Sequence, residues 1–230
     1  MNKLMSELTR LYLPPGAQAQ CGTVDLVAAD GATRAIAIPF RKVAGDETGH
    51  WERLCALANT LQQELGFPAP AVSVASAGGY VLWLSLAQPV ALDEVRRFVD
   101  LLARAHPELA LSAAAVGVPV ELPPCADAAS GKWAAFIHPG MGASFADESG
   151  LDMAPPAAGQ VAFLDGLDSI DAGQWRAAIA QLAPVPAAAP ATTPACADGL
   201  LLKDATLDDI VRFLHARNIE PTFRHLLPRD

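Results

Sequence analysis

Apolar and polar residues alternate most regularly between Pro70 and Val90. Val72 and Val74 alternate with Ser73 and Ala75, and after a break Tyr80, Leu82, Leu84 and Leu86 alternate with Val81, Trp83, Ser85 and Ala87. A period of two predicts strands. Gly78-Gly79 between them predicts a tight turn, because residues without Cβ reach positive φ without strain. The second strand is apolar on nearly both faces, which predicts a central strand covered on both sides. To either side the period changes. Trp51, Leu54, Ala58, Leu61 and Leu65 recur at intervals of three and four, one face of an amphipathic helix with Thr48 as N-cap and Gly66 and Pro68 ending it. Leu92, Val95, Phe98, Val99 and Leu102 form the apolar side of a second helix, with Asp93, Glu94, Arg96 and Arg97 on its wet side.

The remaining pattern is sparser. Leu4, Met5, Leu8, Leu11 and Leu13 predict a short helix before Pro14-Pro15-Gly16. Gly22–Val27 and Arg34–Phe40 flank Ala29-Asp30-Gly31, which predicts a hairpin. Val116–Leu122, broken by Pro119, predicts an edge strand, and Lys132–Ile137 another strand after a turn at Ser130-Gly131. Residues 161–182 are helical in pieces. Four prolines among residues 183–198 predict an exposed Ala/Pro-rich linker. Beyond it, Thr206 with Asp208 and Asp209 starts a helix, and Phe213, Leu214, Phe223 and Leu226 are the apolar residues this tail offers to a partner or to its own core. The expected organisation is an α+β domain over 1–182, a linker over 183–198 and a helical appendage over 199–230. The domain is expected to be a two-layer core of packed helices on a mainly antiparallel sheet.

Charge narrows the function. The chain carries a net charge of −9 over 230 residues, and eight acids lie between 121 and 182 against Lys132 and Arg176. An acidic surface repels phosphate backbones, so tight non-specific DNA binding by the whole chain is not expected. Arg34, Arg41 and Lys42 are the candidates for a local basic patch. Cys21, Cys55, Cys125 and Cys196 are far apart and without ligand spacing, so no zinc site is expected, and Cys55 falls on an apolar helix face as a small buried hydrophobe. The start has no leader-like apolar run, and no run approaches the ~18–20 residues that span a bilayer. The expected setting is cytoplasmic, without membrane contact. The Ala-, Pro- and Arg-rich, Lys-poor composition is that of a GC-rich bacterial genome.

No complete catalytic motif is present. Ser130-Gly131-Lys132 lacks the earlier glycine and following hydroxyl of a phosphate loop, with Ala126 and Trp133 in those places. Ser144 in Gly142-Ala-Ser-Phe-Ala146 is not a nucleophile elbow. His138 stands without a visible partner. Asp147, Glu148 and Asp152 have oxygen ligands suited to magnesium but match no defined loop.

The run Ser76-Ala77-Gly78-Gly79-Tyr80-Val81-Leu82-Trp83-Leu84, with Gly117-Val-Pro-Val-Glu-Leu-Pro123 and the strand Lys132–Ile137 after it, resembles the catalytic core of the archaeo-eukaryotic primase superfamily over about ninety residues. The resemblance implies a primase-like fold. It also implies a nucleotide-binding His at the position of Val81 and two acids on the strand before the first helix, which here is Ala35–Phe40 and has none. Two-metal nucleotidyl transfer needs carboxylates to hold its ions, and Asp25 and Asp30 lie outside the pattern. The resemblance therefore implies an inactive primase-like accessory or scaffold in replication or mobile-element defence. No residue is assigned to catalysis, and neither metal nor cofactor is expected. Within it Ser76, Tyr80, Trp83, Lys132 and Trp133 join the basic candidates at the old substrate groove, with weak single-stranded nucleic acid as ligand and a protein as partner. The alternatives are a protein–protein interaction module with no nucleic-acid role, an active nucleotidyltransferase, and a hydrolase built on His138.

Overall fold

The computed structural model describes residues 3–14, 16–17, 22–43, 45, 48–146, 150–183, 211 and 215. The expectations for Cys21, Cys196, Asp147, Glu148, the linker beyond Ala183, the Thr206 cap, Phe213, Leu214, Phe223 and Leu226 lie outside the described residues. By contacts the chain divides into two compact units, Met1–Pro184 and Val185–Asp230. The first is of the α+β class.

Its centre is a five-stranded antiparallel sheet. β2 (Ala32–Phe40), β4 (Tyr80–Ala91), β3 (Ala71–Val74), β7 (Trp133–Ile137) and β6 (Cys125–Ala126) lie side by side in that order. The hairpin pairs as its alternation predicts, with Val72 opposite Leu82 and Val74 opposite Tyr80. β4 is central, flanked by β2 and β3. β2 and β3 are both antiparallel to β4 and thus parallel to each other, so the helix between them makes a split βαβ crossover. β2 is the outer strand, which is why it can contain Pro39: an edge strand has one row of backbone groups that needs no ladder partner.

One sheet face packs against α2 (Gly49–Asn59), α3 (Leu92–Ala105) and α5 (Ala172–Leu182). Leu54, Leu57, Leu61, Val95, Phe98, Val99 and Leu102 meet Ile36, Ile38, Leu82 and Leu84 there, all buried. Each fully buried Leu, Val or Phe contributes roughly 1.5–3 kcal/mol relative to exposure. α2 runs into a π-helical turn, Thr60–Glu64, and Gly66 at φ +66° closes it. Thr48 occupies the N-cap of α2, but its hydroxyl donates to Glu52 Oε1 at 2.9 Å and not to the backbone.

The two-layer expectation is corrected here, because the other sheet face is covered as well. α1 (Lys3–Leu11), Tyr12, Leu13 and α4 (Ala157–Asp165) pack on Ala35, Ala37, Ala71, Val81, Trp83 and Phe136. The alternating residues of β4 are apolar on this side too, so a third layer is needed to keep them from water. The expected hairpin of 22–27 with 34–40 is also corrected. A turn forms at Ala28–Ala32, yet β1 (Gly22–Val24) pairs antiparallel with β5 (Val120–Leu122), leaving only a single bridge between Val27 and Thr33. The β1–β5 ribbon is anchored by Leu122, buried in the second core. No helix among the described residues is long and apolar enough to cross a membrane.

Candidate nucleic-acid groove

A groove of about 690 Å³ opens where β2 ends and β4 begins, at the Gly78-Gly79 turn. Its floor is set by strand periodicity. Ala37 and Pro39 of β2 share a face, and Pro39 lies directly opposite Val81 of β4. Arg41 and Lys42, both exposed, continue from the end of β2 into the lining. The opposite wall is Ala115 and Val118–Glu121. Among the described residues Arg41 has no carboxylate partner. A second groove of about 390 Å³ shares Pro39, Phe40, Arg41 and Ala115 and adds Val43 and Arg53.

Gly79 is fixed by geometry. Its φ is +82°, and a Cβ there would lie 2.5 Å from the Phe40 carbonyl oxygen. The turn must therefore be bare for β2 to pass it into Arg41 and Lys42.

The candidates from the sequence separate. Arg41 and Lys42 reach the groove. Arg34 does not: seven residues before Arg41 on an extended strand, it is roughly 23 Å away, and its guanidinium donates to the carbonyls of Leu86 and Ala87 at 3.4 Å. The expected Arg34–Arg41–Lys42 patch is thus not formed. Tyr80 and Trp83, expected to face substrate, are core residues at 1% exposure. Trp83 packs on Tyr12 and Phe136, and its Nε1–H donates to Ser73 Oγ at 2.8 Å. Tyr80 packs between His50 and Trp51, and its hydroxyl donates to the Gly142 carbonyl at 2.6 Å. Buried rings with their polar ends satisfied cannot stack on a base. Lys132 and Trp133 lie on β7 and its lead-in, two strands from β4. Lys132 pairs with Asp152 at 2.5 Å, and Trp133 exchanges backbone hydrogen bonds with Leu151. Ser76 is buried, and its N–H donates to Glu121 Oε2 at 3.1 Å.

The remaining chemistry is structural. His138 Nδ1 accepts from the Gly140 N–H at 3.1 Å, starting the 3₁₀ segment Pro139–Phe145. Burial pushes the Tyr12 phenol well above its ordinary range. Burial, with Glu52 beside it, pushes the Cys55 thiol up, the opposite of what a nucleophile needs. Asp127 closes the turn before β7: the Ser130 hydroxyl and N–H both donate to it at 2.7 Å and hold its carboxyl below the usual range. Among the described residues no three His, Cys, Asp or Glu side chains gather to hold a metal ion.

Sequence reasoning missed Ala37, Pro39, Val118 and Glu121. Glu121 lies inside the quoted run Gly117–Pro123 but counts there only as one more acid. Nothing in the local pattern says that β5 leaves the main sheet and brings it across to Ser76.

A scan of the chain against models of known protein families finds no match, and no curated protein matches it.

Proposed function

We propose that this chain is a catalytically inactive primase-like accessory protein whose groove holds single-stranded nucleic acid by its backbone. One observation carries the reading. The groove combines Ala37, Pro39 and Val81 on a common face, with Arg41 and Lys42 beside them. Val81 is where the resemblance implies a nucleotide-binding His. Ala37 and Pro39 are the residues of the preceding strand that share its face, where paired acids would have to stand to act with that His. Under this reading the frame of a nucleotidyl-transfer site carries a methyl, a pyrrolidine ring and an isopropyl group in place of ligands. Such a floor cannot hold two cations, and without them the charge that develops in phosphoryl transfer has no counterion.

Two cations in an acidic chain support weak, salt-sensitive backbone binding and no base readout. The test has two parts. Primer synthesis on single-stranded templates with magnesium or manganese should be absent. Anisotropy of a labelled oligo-dT should show saturable binding at low salt that fades at moderate salt. Primer synthesis would overturn the inactive assignment. Absence of binding at low salt would transfer the protein to the class of interaction modules, for which Val43 and Val118, each 54% exposed beside the grooves, are the favouring feature.

A further inference from the structure

In the main sheet β2 and β6 are the edges, and β2 is much the longer. Hydrogen bonds of the β3–β4 hairpin fix which β2 residues face outward. Ala75 N–H donates to the Gly79 carbonyl at 3.0 Å. Bonded pairs recur at every second residue, so Ser73–Val81 and Ala71–Trp83 are bonded too, and these β4 residues turn their backbone to β3. Leu84, Leu82 and Tyr80 then bond Ile36, Ile38 and Phe40, while Ala35, Ala37 and Pro39 turn outward. Pro39 suits an outward place, because it has no N–H to give to a ladder. Ala35 is covered by its neighbour: its N–H donates to Thr33 Oγ1 at 3.1 Å, and that oxygen lies 2.9 Å from the Ala35 carbonyl oxygen. Among the described residues nothing takes the Ala37 N–H and C=O or the Pro39 carbonyl.

This short open edge has a groove on each face. Ala37 and Pro39 line the groove of about 690 Å³, and Ile38 and Phe40 line the one of about 390 Å³. Residues between Leu109 and Glu121 form the far wall of both. With a wall facing the edge, the space suits a single extended chain and not the edge of a second sheet. Side chains of such a chain alternate, so successive residues enter the two grooves in turn. The charge of the lining gives their chemistry. Arg41 borders both grooves, Lys42 the larger and Arg53 the smaller, against one carboxylate, Glu121, in the larger. That balance is opposite in sign to the net charge of −9 on the chain.

We propose that β2 takes up an extended acidic peptide as a sixth strand along Ala37–Pro39. The Ala37 N–H and C=O and the Pro39 carbonyl bond its backbone, and its acidic side chains enter the smaller groove beside Arg41 and Arg53. The inference goes beyond the nucleic-acid reading, which uses the cations of the larger groove and no backbone edge.

The test uses the full chain and a labelled, end-capped peptide Val-Glu-Val-Glu-Val, whose alternation puts both glutamates on one face. Anisotropy should show saturable binding. Val-Lys-Val-Lys-Val should bind at least about threefold more weakly, and Arg41→Ala should weaken the acidic peptide by a similar factor. Ala37→Pro removes the edge donor and spares the ladder to β4, so binding should fall about tenfold. Hydrogen exchange on the native protein reads the same bond without a variant. Saturation with the acidic peptide should slow exchange of the Ala37 amide at least about tenfold and leave Ile36 and Ile38 unchanged. Absence of binding, equal binding of the lysine peptide, or saturation that leaves Ala37 exchange unchanged would overturn the strand addition. Slowing of Ala37 exchange by oligo-dT and not by the peptide would overturn it in favour of nucleic acid at this edge.

Discussion

The two faces of the β2–β4 pair are built from the same strands, one residue out of step. On the α2–α3 side stand Ile36, Ile38 and Phe40 beside Leu84, Leu82 and Tyr80, large side chains in every place. On the other side stand Ala35, Ala37 and Pro39 beside Ser85, Trp83 and Val81. The first face is buried along its whole length, with the smaller groove bordering it at Ile38 and Phe40. The second is buried from Ser85 through Trp83 to Val81, and only Pro39 at its end is exposed. Toward Pro39 and Val81, small residues leave space, and the space is the groove. The groove is thus a local shortage of side-chain volume on an otherwise packed sheet, bordered by Arg41, Lys42 and Glu121.

The largest contrast tests this directly. Leu82→Ala should cost about 2–5 kcal/mol, read as a lower urea midpoint, because a fully buried leucine leaves a cavity. Pro39→Ala, on the groove face and exposed, should stay within roughly 0.5 kcal/mol. Equal losses would mean that both faces are core. Next, Trp83→Phe should cost about 1–3 kcal/mol by leaving Ser73 Oγ without its donor, while oligo-dT binding stays unchanged. Weakened binding at unchanged stability would return Trp83 to the groove. Gly79→Ala should cost more than about 1 kcal/mol, since its positive φ and the Phe40 carbonyl both oppose a Cβ. The smallest effect concerns pH. The Asp127 carboxyl is held down by Ser130, so its contribution is full above the ordinary carboxylate range and is lost as pH falls through the folded value. Asp127→Asn should flatten that acid limb slightly, seen by comparing thermal midpoints at pH 3 and pH 7.

The sequence displays the packed face well, because packing is written in periodicity. Leu54, Leu61, Val95, Phe98 and Leu102 fall in place from spacing alone, as do both hairpin strands. The groove is less readable. Tyr80 and Trp83 look like substrate contacts in a motif, yet alternation along β4 sends them to opposite faces, Tyr80 under α2 and Trp83 under α1 and α4, and both are core. Arg34, Arg41 and Lys42 are near in sequence, but extended backbone puts Arg34 at the far end of β2. Glu121 is invisible until the partner of β1 is known, since that pairing joins residues about a hundred positions apart.

The most direct test of the groove as a nucleic-acid site is oligo-dT anisotropy for native protein and the Arg41→Ala/Lys42→Ala double variant across a salt series. A nucleic-acid groove at this place predicts saturable binding by the native chain. It predicts a double variant that folds normally, binds much more weakly and has a salt slope shallower by roughly 1.4, the share of two phosphate contacts on a single strand. Binding that survives the double substitution with an unchanged slope would contradict it and place the nucleic acid elsewhere on the chain.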